Sequence, residues 1–300
     1  MSQTIPVFDL RALEGDARMA MVRDIRRAAE EVGFFGVTHT GVHPTAVDGA
    51  FAAARRFFDL PRRHKEAWRY RSTELNHGWV SAGQEALDPS KPADRKESFT
   101  MRNVARTIAR AELWPDAPFR DAAYALYRDA QSLSQRLLIA LAEGLALPAN
   151  WFLPAHTGEN QTLRLLHYPY EETPVAEGQL GAGAHTDYGS ITLLWQDAAG
   201  GLEVMGRDGA WLAVAPRPET VIVNIGDLMQ RWTNDVLRST LHRVQPRTDG
   251  SDRYSIAFFC DPDDNAEISV APTCIAPGEV ARYPSIRAGD HISAKLSATY

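Results

Sequence analysis

Between positions 161 and 260 the chain breaks into short β-prone runs with Gly and Pro between them: 162–168, 191–195, 202–205, 211–214, 220–225, 241–245 and 253–260. Many short strands punctuated by turn residues point to two sheets packed face to face, a sandwich or jelly roll. The first half reads differently. Residues 17–32 alternate apolar and charged side chains at helical spacing, and 44–58 repeats the pattern with Val47, Phe51, Ala54 and Phe58. The longest helical candidate is 122–145, whose stripe of Tyr124, Tyr127, Leu133, Leu137 and Leu141 reads as core packing. Residues 74–96, rich in Gly, Pro, Asp and Ser and without a clear period, read as a long loop of the kind that often forms a lid. The expected class is α+β, organised as a helix-rich region (1–118), a connecting helix (119–160), a β core (161–265) and a C-terminal segment (266–300), all one functional unit.

Within the β-rich half, His185-Thr186-Asp187 precedes the strand candidate at 191–195, and His242 lies in the candidate at 241–245. In extended chain, residues i and i+2 share a side, so His185 and Asp187 can converge on one ion with a distant His as the third ligand. Two imidazoles and one carboxylate form the set that holds non-haem Fe(II) on one face and leaves open positions. A second His-x-Glu pattern, His64-Lys65-Glu66, follows Pro61 in a charged segment that reads as the start of a helix. On a helix those two side chains diverge. A lone buried histidine is usually a satisfied core residue, and zinc accepts the same ligand types. No His-Glu-x-x-His helix accompanies the set, which weakens a zinc-hydrolase reading. Beyond His242, Arg253 and Ser255 share one side of the last strand candidate and can reach one anion together.

The sequence resembles the isopenicillin N synthase-like branch of the 2-oxoglutarate- and Fe(II)-dependent dioxygenases through nearly its whole length. The resemblance rests on the His185-Thr186-Asp187 and His242 set, Arg253-Tyr254-Ser255, the N-terminal stretches 5–10 and 31–37, and the core stretches 224–227, 230–234 and 239–244. It implies a double-stranded β-helix with the helical half packed outside. It implies His185, Asp187 and His242 as iron ligands, Arg253 and Ser255 as the carboxylate clamp, and Tyr168 before Pro169 as a further cosubstrate contact. It also implies 2-oxoglutarate as cosubstrate with O2, decarboxylation to succinate and CO2, and oxidation of a substrate C–H, hydroxylation being the default outcome. An oxidase that uses the Arg-x-Ser pair for its substrate's own carboxylate, an ethylene-forming type, and a metal-dependent sensor of a small acid stay open. Candidate substrate-pocket residues are Phe259, on the strand side of Arg253 and Ser255, with Tyr188, Asn76, His77, Phe99 and Met101; no other catalytic residue is expected.

Composition agrees with a soluble enzyme acting on a small molecule. Hydrophobic residues are 44% and charged ones 23% of 300, inside the globular range. A net charge of -6 argues against a nucleic-acid surface, which is built from Lys and Arg. The two cysteines, Cys260 and Cys274, form no disulfide framework; Cys260 reads as a small buried hydrophobe. With no secretory signal and no apolar run long enough to span a bilayer, a cytoplasmic location and no membrane partner are expected. Oligomeric state is left open by the sequence.

Overall fold

The computed structural model describes residues 4–88, 90–170 and 172–299. Helices α1 (Arg18–Glu31), α2 (Pro44–Phe58), α3 (Arg62–Lys65), α4 (Val104–Thr107) and α5 (Ala117–Gly144) precede most of the strands. Each long helix has a local reason for its start. α2 opens on Pro44, with His43 Nδ1 accepting the Thr45 N–H at 3.3 Å. α5 opens ahead of the expected position 122, because Asp116 caps the Phe119 N–H at 2.6 Å and Pro118 sits in the first turn. His64 lies on α3, as its sequence context indicates, and its neighbour Lys65 is buried on Glu97 at 2.8 Å.

The strands are β1 (Val7–Asp9), β2 (Phe34–Thr38), β3 (His77–Val80), β4 (Glu97–Arg102), β5 (Thr162–Tyr168), β6 (Ala182–His185), β7 (Ile191–Gln196), β8 (Leu202–Met205), β9 (Trp211–Ala213), β10 (Val221–Ile225), β11 (His242–Val244) and β12 (Arg253–Cys260). They form an eight-stranded sheet in the order β1-β2-β10-β7-β12-β5-β4-β3 and a four-stranded sheet in the order β6-β11-β8-β9. β1 and β2 pair in parallel, and the central strands of the large sheet run antiparallel. The N-terminal region therefore contributes four strands to the sheet that carries β12. The expected loop at 74–96 is corrected in its first part: residues 77–80 are β3, paired with β4 from His77↔Met101 to Val80↔Ser98. Near the end of that segment Asp94 accepts the Gly183 N–H of β6 at 2.8 Å.

Side-chain alternation divides the large sheet. Leu163 and Leu165, Leu193 and Trp195, Val221 and Val223, and Ile256 and Phe258 point into one core with α1, α2 and α5. Leu166, Leu194, Ile222 and Ala257 point the other way, toward Ala182, Leu202, Val204 and Val244 of the small sheet. This second core is small and encloses a cavity of ≈ 560 Å³. A short helix α6 (Asp227–Trp232) follows β10 and precedes β11. After β13 (Glu267–Ile268) and β14 (Ile286–Arg287), the final helix α7 (Ala288–Thr299) returns to the cavity and lines it with Ile292, Ser293, Leu296 and Ser297.

Candidate active site

β6 and β11 pair antiparallel with His185 directly opposite His242, which sets the two rings 4.2 Å apart between centroids. Each ring is oriented from behind: His185 Nδ1 lies 2.7 Å from the Gly183 carbonyl, and His242 Nδ1 3.2 Å from the Thr240 carbonyl. A carbonyl only accepts, so Nδ1 carries the proton and Nε2 is left with its lone pair. Asp187 is fixed in the same manner. Its Oδ2 accepts from Thr192 Oγ1 at 2.6 Å and from Asn224 Nδ2 at 2.7 Å, while Oδ1 lies 3.9 Å from His185 Nε2 and 3.8 Å from His242 Nε2. The three uncommitted atoms lie within 4.8 Å of one another, and among the described residues this is the one His, Cys, Asp and Glu cluster fit to hold a metal.

The electrostatics agree with that use. Burial, reinforced by His242 alongside, pushes His185 down to about 3, so its imidazole is neutral and ready to ligate. Burial pushes Asp187 up, but His242, His185 and the donors Asn224 and Thr192 outweigh it and hold the carboxyl below its ordinary value. Phe34 packs edge-on to His242 at 5.3 Å and keeps one flank of the cluster apolar.

Farther along the same cavity, Arg253 is 1% exposed. Its Nε donates to the Gly200 carbonyl at 2.6 Å, its Nη1 donates to Ser255 Oγ at 3.2 Å, and the guanidinium sits 4.6 Å from the centroid of the Tyr168 ring. Tyr168 and Arg253 are cross-strand partners on β5 and β12. The arrangement locks a cation at the wall of a cavity that also holds the His185, Asp187 and His242 side chains.

Asn76, Tyr188 and Phe259 line this cavity. His77, Phe99 and Met101 do not: they are buried on the helix-backed side of the large sheet, where His77 packs on Phe99 at 5.5 Å and on Trp114 at 4.9 Å. The reason is parity, since on β4 the cavity side falls to Thr100 and Arg102, between and beyond the apolar positions. Sequence reasoning also missed Arg164 on β5, Asn224 and Thr192 behind Asp187, Asp261 beyond β12, and all of α7. The two-residue alternation that singled out Phe259 reaches Asp261 one step later and would have found it. Burial pushes the Asp261 carboxyl up to about 7, with nearby Asp187 adding to the effect.

Residues 159–262 match the 2OG-Fe(II) oxygenase superfamily, and residues 5–117 match the family described as non-haem dioxygenase in morphine synthesis N-terminal. The proline hydroxylase buaE of Petromyces alliaceus is 36% identical over 94% of this chain and 94% of its own. The chain belongs to the 2OG-Fe(II) oxygenase superfamily. This oxygenase also superposes on a full-length Neurospora crassa protein solved in complex with α-KG and thymine, with a TM-score of 0.89 and 32% identity over 99% of this chain and 97% of the other. JOX2, solved with 2OG, Fe and JA, gives a TM-score of 0.83 at 29% identity over 97% and 84% of the two chains. The protein is thus a 2-oxoglutarate- and Fe(II)-dependent oxygenase, an oxidoreductase that uses O2 and has the double-stranded β-helix fold of the isopenicillin N synthase-like branch. No helix among the described residues is long and apolar enough to cross a membrane.

Proposed function

We propose that the oxygenase hydroxylates a small ring compound, with His185, Asp187 and His242 holding the iron and Arg253, Ser255 and Tyr168 receiving the distal carboxylate of 2-oxoglutarate. The observation that carries the reading is that all three ligand residues have their rear atoms already hydrogen-bonded, leaving Nε2, Oδ1 and Nε2 facing one another. Iron(II) bound there supplies, with 2-oxoglutarate and O2, the oxidising power for decarboxylation to succinate and CO2 coupled to oxidation of a C–H bond.

The chain's own task is to bind, orient and exclude water. Arg253 offers a charge-assisted contact to an incoming carboxylate from a position where the protein already fixes its other nitrogens, so little side-chain entropy is lost on binding. Tyr188 and Phe259 present aromatic walls, and Asn76 adds a polar rim. α7, anchored by Lys295 Nζ on Asp227 at 2.8 Å, closes the opposite side. A ring compound suits the cavity, and a relative named for proline and a structural neighbour solved with thymine support that class. The four regions of the chain act as one unit in this reading, because strands from 1–118 and from 161–265 share a sheet. Two free cysteines are compatible with a cytoplasmic location, where iron(II) is more easily kept reduced.

The decisive experiment measures O2 uptake and succinate release by the Fe(II)-loaded enzyme, with L-proline and thymine as first probes and with 2-oxoglutarate added or omitted. Substrate-stimulated succinate release supports the reading. Oxygen uptake that needs no 2-oxoglutarate points instead to an oxidase, and binding without O2 uptake points to a sensor.

A further inference from the structure

Resting on the oxygenase reading, we propose that Asp261 is the residue that selects the substrate, accepting a hydrogen bond from an N–H group of a small nitrogen-bearing ring. Three features of the cavity lead there. β12 and its continuation set Arg253, Ser255, Ala257, Phe259 and Asp261 along one cavity wall, so a single alternation runs from the cosubstrate clamp to this carboxyl. The carboxyl also reaches the loop that carries Asp187: a methyl group built on Gly189 would stand 1.6 Å from Asp261 Oδ1. Any side chain at 189 would displace it, and the glycine leaves that space open. Asp261 neighbours the cluster of His185, Asp187 and His242 without being a member of it.

The third feature is where the neighbouring donors go. Asn160 Nδ2 donates to Asp264 Oδ1 at 2.8 Å and to the Pro262 carbonyl at 2.9 Å, and Arg102 Nη2 pairs with Asp264 Oδ2 at 3.0 Å. Arg164 is engaged by Glu85 and donates to Ser98 Oγ at 2.8 Å. Asp264 is thus doubly satisfied at the cavity rim, whereas no hydrogen bond or ion pair reaches the Asp261 carboxyl among the described residues. Asp261 is half-buried at the cavity wall, so a ligand that displaces water from it must supply a donor or leave the carboxyl unpaired. With the nearby cations committed elsewhere, the complement is a ligand that brings its own polarised or charged donor, an amide-type N–H or an ammonium. A site built to hydrogen-bond one group rejects an analogue lacking it, because the buried acceptor is then left unpaired.

The test uses the full chain loaded with Mn(II) and 2-oxoglutarate without O2, titrated calorimetrically with cyclic amides and cyclic amino acids that include the two probes named above. Each is compared with a counterpart methylated until no N–H remains. The wild type is expected to favour an N–H form by roughly 10- to 100-fold, the range of a hydrogen bond to a charged group. Asp261→Ala erases that preference and leaves 2-oxoglutarate affinity unchanged. The near-isosteric Asp261→Asn separates two sources: a preference that persists identifies a neutral ring amide, and one that vanishes identifies an ammonium. Absence of any preference in the wild type overturns the proposal, as does a loss in Asp261→Ala shared by both forms or by 2-oxoglutarate. Failure of 2-oxoglutarate to bind the wild type at all would instead strike at the oxygenase reading itself.

Discussion

The two faces of the eight-stranded sheet are made by the same strands and obey opposite rules. On the helix-backed face, Leu165, Leu193, Val223, Ile256 and Phe258 are fully or almost fully buried and pack against other apolar groups and the helices. On the cavity face the positions in between are Arg164, Thr192, Asn224, Ser255 and Phe259; Thr192 and Asn224 donate to Asp187, Ser255 accepts from Arg253, and Arg164 donates to Ser98 Oγ. The larger apolar core thus lies on one side, and the chemistry lies on the other beside the smaller core around Leu166, Leu194, Ile222 and Ala257, with a pleat of one residue separating the two faces. Substitutions one position apart in sequence are therefore expected to report on different properties.

The largest effect is expected at the metal cluster. His242→Ala or His185→Ala is expected to abolish both Fe(II) binding and 2-oxoglutarate turnover while leaving the unfolding temperature within a few degrees, because neither ring supports the helix-backed core. Metal titration and thermal unfolding read the two properties separately. Normal turnover in either variant would remove the proposed ligand set.

The complementary change is Phe258→Ala, on the other side of the same strand as Ser255 and Phe259. Phe258 is fully buried and packs edge-on to Tyr127 of α5 at 5.5 Å. Truncation is expected to cost ~3–5 kcal/mol of stability. The folded fraction is expected to keep its 2-oxoglutarate affinity, measured by titration at low temperature. An affinity loss as large as the stability loss would mean that the two faces are not separable.

Legibility in the sequence follows the same division. Alternating apolar residues make most strands from 162 onward and the long helices α1, α2 and α5 readable, whereas β6 with its Gly183, the two-residue β13 and β14 and the helices α4, α6 and α7 carry too little pattern to be read. The convergence of His185, Asp187 and His242 is legible too, because the His-x-Asp pair at a strand end aims both side chains to one side. Substrate-side positions were harder. On β4 the apolar Phe99 and Met101 face the packed side, and the cavity side falls to Thr100 and Arg102, a parity the sequence of that strand does not declare. β3 was hidden inside a Gly- and Asp-rich stretch, where its pairing with β4 is a long-range matter. α7 reaches the cavity through Ile292 and Leu296, too few apolar positions to declare which surface they cover.

A smaller effect is expected at the clamp. Arg253→Lys keeps the charge but loses the planar fork and the separate Nε contact to Gly200, so the 2-oxoglutarate KM is expected to rise roughly 10- to 100-fold. The substrate KM is expected to change far less. If only the substrate weakens and 2-oxoglutarate is not consumed, Arg253 holds the substrate's own carboxylate, and the cavity face is organised as in an oxidase.

The finest test concerns a residue that touches neither metal nor substrate in the proposed arrangement. Asn224 lies on β10 between Val223 and Ile225, which belong to the helix-backed core, and points its amide the other way to donate to Asp187 Oδ2 at 2.7 Å. Thr192 supplies the second donor to the same oxygen. Asn224→Ala removes one of the two bonds that turn Oδ1 toward the imidazoles, leaving the carboxylate freer to rotate. Loss of such an outer contact typically lowers metal affinity by about 10- to 100-fold. Fe(II) titration is therefore expected to shift by that amount, whereas the 2-oxoglutarate KM at saturating iron stays near the wild-type value and unfolding changes little, since alanine fills the strand position without disturbing Val223 or Ile225. A variant that binds iron normally but unfolds several degrees lower would show that Asn224 serves the sheet, and that the polar face contributes to stability as the apolar one does.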